Sequence, residues 1–221
     1  TIELAIGGWA FAILLGIPTG VLAAVKRGTF WDYIARGVAI IGQGAPPFVI
    51  GLLLIVIFAV WLQDTPFELP AAGRPPQFNI KTYILPCIAL GWPAAAGLMR
   101  LTRSAMLEVL DSEFVKLARA KGVGWNKVIY KHALKNALIT PLTSALLLFS
   151  GWLNGALVIE IIFGWPGIGY DALFTAVNDN DFPLLQGTVF FFVIIFVIFA
   201  LLADLLYTII DPRVRLTGGE K

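Results

Sequence analysis

One histidine, His132, and one cysteine, Cys87, are all that the 221 residues offer for imidazole or thiol chemistry. A multi-histidine or Cys-rich metal site needs several such ligands, so no metal site is expected in this chain. His132 lies in a strongly basic stretch with no second histidine and no nearby cysteine, which points to a structural hydrogen bond. Cys87 sits in an apolar stretch, where a thiol packs as a small hydrophobe. A hydrolase working inside a membrane needs a nucleophile and a base at one depth. Ser150 and Thr143 lie in an apolar run, but His132 falls outside it and no paired intramembrane aspartates appear. No G-x-x-x-x-G-K-[ST] loop is present to cradle phosphates, so ATP is not expected to be hydrolysed on this chain. What remains inside apolar runs is Gln43, Asn154, Glu160 and Asp204. Polar and ionisable groups at membrane depth are costly and default to functional candidates. Gln43, Asn154 and Glu160 are therefore candidates to line a path. Each has a plainer alternative: Gln43 and Asn154 as interhelical hydrogen-bond glue, and Glu160 reaching interfacial water. Asp204 could pair with a base at the inner membrane edge.

The elements that carry these residues are apolar and long. The chain is 58% hydrophobic and only 14% charged, with a mean hydropathy of +0.84. A soluble domain averages about 45–50% apolar and about 25% charged. A disordered tail, a nucleic-acid-binding arm and a soluble enzyme domain are excluded on that basis. A helix needs about 20 apolar residues to cross a ~30 Å hydrocarbon layer, and five stretches qualify: 2–25, 38–62, 83–107, 137–163 and 184–210. Backbone groups find no water in lipid, so each span is expected to be α-helical. Period-two alternation is absent, which argues against a β-barrel. The fold class is thus an all-α, polytopic membrane protein in a single domain, 1–221. Pro46-Pro47, Pro86 and Pro93 mark expected kinks or breaks.

Charge gives the orientation. Fourteen of the sixteen Lys and Arg lie in 26–36, 100–135 and the tail after Pro212, whereas the opposite loops hold only Arg74 and Lys81. By the positive-inside rule the first set, and with it the C-terminus, is cytoplasmic. Five spans then put Thr1 outside. Because the chain starts without Met at a hydrophobic run, an upstream piece carrying another span is expected before Thr1, with a naturally N-out protein and a cleaved signal as the alternative.

Residues 108–136 are long and charged, yet patterned as helix. Asp111 or Ser112 can cap a start, with Glu113 in the first turn where the helix dipole favours an acid. Phe114, Leu117 and Ala118 recur at i, i+3 and i+4 as one apolar face, leaving Lys116, Arg119 and Lys121 for solvent or a partner. Gly122 follows a basic last turn as the stop. A turn at Gly124, Trp125 and Asn126 leads into a second helix from about Lys127. Two readings compete: a surface helix held to anionic lipid by its basic side chains, and a docking element for another protein.

The run 98–110, then Phe114-Val115-Lys116-Leu117-Ala118-Arg119-Ala120-Lys121-Gly122, then His132-Ala133-Leu134-Lys135-Asn136-Ala137-Leu138 and Pro141, resembles the permease subunits of ABC importers. The resemblance is to the dipeptide/oligopeptide/nickel branch, B-type subunit, lacking its first membrane helix. Phe163-Gly164-Trp165-Pro166-Gly167-Ile168-Gly169 resembles that branch's outer loop, and Asp211-Pro212-Arg213 its ending. The general EAA pattern of the family is replaced here by Lys116, Leu117 and Ala118, as is common in the peptide branch.

The resemblance implies a type I ABC importer (MetI-like) transmembrane domain with five visible helices and a cytoplasmic coupling segment, 111–135. It implies that Glu113, Phe114, Lys116, Leu117, Ala118, Arg119, Ala120, Lys121 and Gly122 couple to an ATP-binding subunit. Trp165, Pro166, Gly167 and Asp171 would face an extracytoplasmic substrate-binding protein. Implied partners are a second permease subunit of C-type, two ATP-binding subunits that carry the ATP and Mg, the binding protein and the lipid bilayer, with no nucleic acid. This chain itself would hold no cofactor. Its place would be a bacterial or archaeal plasma membrane. Its task would be passage of di- or oligopeptides by alternating access, with nickel chelates, glutathione or other small solutes as alternative cargoes. A stand-alone channel or secondary transporter would instead show intramembrane charge networks and often an inverted repeat, and neither is evident.

Overall fold

The computed structural model describes residues 1–71, 73 and 79–210; within its helices, the side chains of 150, 151, 153–155, 203, 204 and 206–210 are left undescribed. Among the described residues there is no strand. The first helix, α1 (Ile2–Val25), matches the first expected span. The second expected span is two arms: α2 (Phe30–Gly44), and α3 (Pro47–Ile55) continued by a π-helical turn over Val56–Trp61, bent by 105°. The bend follows from Pro46-Pro47. A residue before proline is pushed out of the α region, and Ala45 (ψ 128°) and Pro46 (ψ 145°) are both extended. The break expected at Pro46-Pro47 is therefore present, and the stretch 38–62 is divided between the two arms.

The third span, α4 (Ile80–Leu110), is one helix through both Pro86 and Pro93, so the expected breaks there are not found. It leads into the short α5 (Glu113–Ala120). The chain returns through α6 (Trp125–Lys127), a π-helical turn Val128–Ala133 and α7 (Leu134–Ala137) into α8 (Ile139–Phe163). The connection from α8 to the last span is itself helical: a π-helical segment Ile168–Phe174 and α9 (Thr175–Asn178) fold back at 84° to the end of α8. The last span is α10 (Phe182–Ile210).

The central contact is α1 on α4, and its cause is a stripe of small residues. Gly8, Ala12, Gly16 and Gly20 are four apart, so they share one face of α1. Facing them are Gly91, Ala95 and Met99 of α4. A Cβ at Gly16 would lie 2.6 Å from the Ala95 carbonyl oxygen, and one at Gly91 would lie 2.4 Å from that of Gly8. Lipid is as apolar as the helices, so close backbone approach and dispersion, rather than water exclusion, hold such a pair together. Trp9 of α1 adds a polar tie, donating its indole N–H to the Ala145 carbonyl of α8 at 2.8 Å. The long α10 presents Phe190, Phe191, Val193, Val197, Ile198 and Leu201 outward, as a lipid-facing helix would.

Candidate functional site

The basic corner of the molecule is built around α5. Its eight residues are too few to hold a helix in isolation, so tertiary contacts must fix it. Val115 supplies the anchor. It is 1% exposed, and α5 lies against the Val128–Ala133 turn, where Val128 is also buried. Phe114 and Leu117 point the other way and remain 45% and 56% exposed. The helix therefore uses one apolar residue inward and offers two outward, with Ala118 half-buried beside them. The sequence pattern found the outward pair but missed Val115.

The end of α5 is closed by glycine. Gly122 takes φ +77°, a conformation that costs other residues about 1–2 kcal/mol. The Gly122 N–H donates to the Arg119 carbonyl at 2.9 Å and the Val123 N–H to the Ala118 carbonyl at 3.2 Å. This paired closure is the Schellman motif. Of the basic residues, Lys116 donates to Glu113 at 2.7 Å. That hydrogen bond lifts the Lys116 ammonium above its ordinary value. Arg119 stacks over the Trp125 ring at 5.0 Å, while Lys121 and Ala120 are exposed. His132 is half-buried, its carbonyl accepts from Asn136, and no group of metal-ligating side chains occurs among the described residues.

A second feature lies between α2, α4 and α8. A cavity of about 680 Å³ is lined by Gln43, Pro93, Gly97, Arg100, Ser144 and Trp152, among others. Gln43 approaches Gly97 so closely that a Cβ there would lie 3.2 Å from its amide nitrogen. The sequence pattern does not mark Arg100 or Ser144 as lining residues; Arg100 reads there only as one of the basic charges of 100–135. The side chain of Asn154 lies outside the described residues, as does that of Asp204 and the Asp211-Pro212-Arg213 ending.

Glu160 faces no open path in this conformation. It is 0% exposed. Its Oε2 accepts from the backbone N–H of Gly169 at 2.8 Å and of Tyr170 at 3.3 Å. It thus caps the outer π-helical segment, where orphan N–H groups need an acceptor. Gly167 and Gly169 leave room for it: a Cβ at Gly167 would fall 2.5 Å from the carboxylate carbon, and one at Gly169 would fall 2.7 Å from Oε2. Trp165, expected to face outward, is instead 1% exposed and packs edge-on against Tyr83 at 4.6 Å. The reason is the reversal at Gly164 (φ +54°), which turns the chain back onto the core at once. Pro166 and Asp171 are exposed.

With that geometry in place, the family model described as "binding-protein-dependent transport system inner membrane component" matches residues 16–216. The chain belongs to this family. It is 41% identical over 97% of its length to a dipeptide transport system permease protein of Alkalihalophilus pseudofirmus, covering 71% of that relative. It is 37% identical over the same share to the Escherichia coli dipeptide transport system permease protein, covering 70% of it. Among solved structures, a chain of the MetNI methionine ABC transporter aligns with a TM-score of 0.72 at 15% identity, over 95% of this chain and 92% of that one. At that identity the likeness is one of fold, and it establishes the MetI-like transmembrane architecture. This inner-membrane component is thus a multi-pass permease subunit; as in its family, the subunit is not itself an enzyme.

Proposed function

We propose that the chain forms one half of the membrane pathway of an ATP-driven importer of di- or short oligopeptides. The observation that carries the coupling part is α5: an anchored helix at a strongly basic face with Phe114 and Leu117 turned outward. Residues 113–122 would seat in a groove on an ATP-binding subunit, which carries ATP and Mg. Closure of two such subunits would move α5 and rock the spans between inward- and outward-facing states. The cavity lined by Gln43, Arg100 and Ser144 would be this chain's share of the path, completed by a second permease subunit of C-type. Pro166, Gly167 and Asp171 would lie on the opposite side, where an extracytoplasmic binding protein would dock. The C-terminus and the basic segments are assigned to the cytoplasm of a bacterial or archaeal cell. The peptide cargo is supported by the names of the dipeptide permease relatives.

The test is uptake by the complete transporter in proteoliposomes, with its own binding protein and labelled dipeptides, longer peptides, glutathione and a nickel chelate as competing cargoes. ATP-dependent accumulation of peptides ahead of the others is expected. Uptake that proceeds with no ATP-binding subunit would overturn the reading.

A further inference from the structure

Asp32 is a buried carboxylate that the pathway and the docking helix leave unexplained. It sits in the first turn of α2, 1% exposed. Arg103 of α4 grips it with both arms of a fork, Nε to Oδ1 at 2.8 Å and Nη2 to Oδ2 at 2.9 Å. The Gly28 N–H donates to Oδ2 at 3.0 Å, with Gly28 at φ +74°, and Arg36 Nε stands 3.3 Å from Oδ1. Both oxygens thus accept hydrogen bonds, and a bidentate arginine fixes direction as well as distance. The pair joins two corners: the α1–α2 turn at 26–29 and the end of α4, eight residues before Asp111. A second, looser link spans the same corners, Arg27 to Asp111 at 3.9 Å. Beneath them, Val21 and Ala24 of α1 pack with Met106 of α4 and with Ile129 and Ala133 of the turn that supports α5.

We propose that the Asp32–Arg103 pair is a mechanical clamp that makes the α1–α2 corner and the α4–α5 corner one rigid body. A displacement of α5 is then passed to α1 and α2 as well as along α4. Without it, this end of α2 would lag behind, because the buried apolar cluster that joins it to α1 and α4 there is alanine-sized (Ala23, Ala35, Ala39, Ala96) with Met99, and small side chains resist sliding weakly. Asp32 and Arg103 are positioning residues in this account, and the account rests on α5 being the docking helix.

The test uses the complete transporter in nanodiscs. Spin labels at Thr29→Cys and Glu108→Cys, both exposed positions, are introduced with Cys87→Ala. The expected result is one distance distribution shared by the nucleotide-free and ATP-bound states. In Asp32→Asn that distribution should broaden, and transport per ATP hydrolysed should fall several-fold while the ATP-binding subunits still co-purify. Arg103→Lys, which keeps the charge but loses the fork, should fall between. A 29-to-108 distance that shifts with nucleotide in the unmodified pair overturns the proposal even if Asp32→Asn fails to fold. So does an Asp32→Asn transporter that is less heat-stable but keeps its full transport per ATP. Failure of the underlying reading shows differently: Phe114→Ala with Leu117→Ala would leave the ATP-binding subunit bound, whatever the labels report.

Discussion

Truncating the two outward residues of α5 separates docking from folding. Phe114 is 45% exposed; taking ~200 Å² for a phenylalanine side chain, about 90 Å² is open to a partner. At about 25 cal/mol per Å² that area is worth about 2 kcal/mol on burial. Ordering the ring costs roughly 0.5–1.5 kcal/mol, which leaves about 0.7–1.7 kcal/mol. Leu117, at 56% exposure, yields a similar net figure by the same reckoning. Each 1.4 kcal/mol is tenfold in affinity. Phe114→Ala should therefore weaken binding of the ATP-binding subunit by about tenfold, and Phe114→Ala with Leu117→Ala by about 100-fold. The exposed Lys116, by contrast, is engaged with Glu113, and such surface pairs contribute only about 0–1 kcal/mol. Lys116→Ala is expected to change affinity little. Val115→Ala is the converse case. It hollows the contact beneath α5 and should cost about 2 kcal/mol of permease stability. The assay is binding of purified ATP-binding subunit to the permease in nanodiscs, paired with thermal unfolding. Full affinity in the Phe114→Ala, Leu117→Ala variant would refute the reasoning, since no other residue of α5 offers comparable open apolar area.

Three further outcomes are expected. Gly122→Ala strains a backbone held at φ +77°, and Gly122→Pro cannot adopt it at all; both should let ATP hydrolysis run on while uptake falls, read as peptide transported per ATP. Gly16→Ala would press a methyl to within 2.6 Å of the Ala95 oxygen, whereas Gly187→Ala in α10 meets nothing within 4 Å. Thermal unfolding should show Gly16→Ala destabilised by about 1–3 kcal/mol and Gly187→Ala unchanged or slightly stabilised. Gly169→Ala places a Cβ 2.7 Å from Glu160 Oε2 and 2.9 Å from the Leu157 Cα. It should loosen the outer helical segment, seen as faster proteolysis within 168–178, with α5 docking unaffected.

The sequence revealed most of the fold because hydropathy and charge are strong signals in lipid. α1, α4 and α10 begin and end within a few residues of their expected bounds. The 105° break was half legible: Pro46-Pro47 was flagged, but a prolonged apolar run gives no sign of how far its two halves diverge. Pro86 and Pro93 carried the same flag and left α4 intact, so proline alone does not decide a break. The outer segment hid its helix because Gly164, Pro166, Gly167 and Gly169 are all turn residues by composition. Only the position of Glu160, four residues before that run, hints that the glycines make space for a carboxylate. The α1 stripe is legible only in the four-residue spacing of Gly8, Ala12, Gly16 and Gly20. Asp32 is hidden for another reason. Orientation is set by Lys and Arg, so a single acid among Lys26, Arg27 and Arg36 carries no signal of its own. Its partner Arg103 is 71 residues away, and no local pattern connects them.

Depth decides the central claim. A fluorophore placed on Leu117→Cys, in the complete transporter reconstituted with quencher-bearing lipids, reports what α5 touches. The account predicts no lipid quenching, with contact instead to the ATP-binding subunit by short-range cross-linking from the same cysteine. Strong quenching by the lipid, together with no cross-link to any other chain, would contradict it.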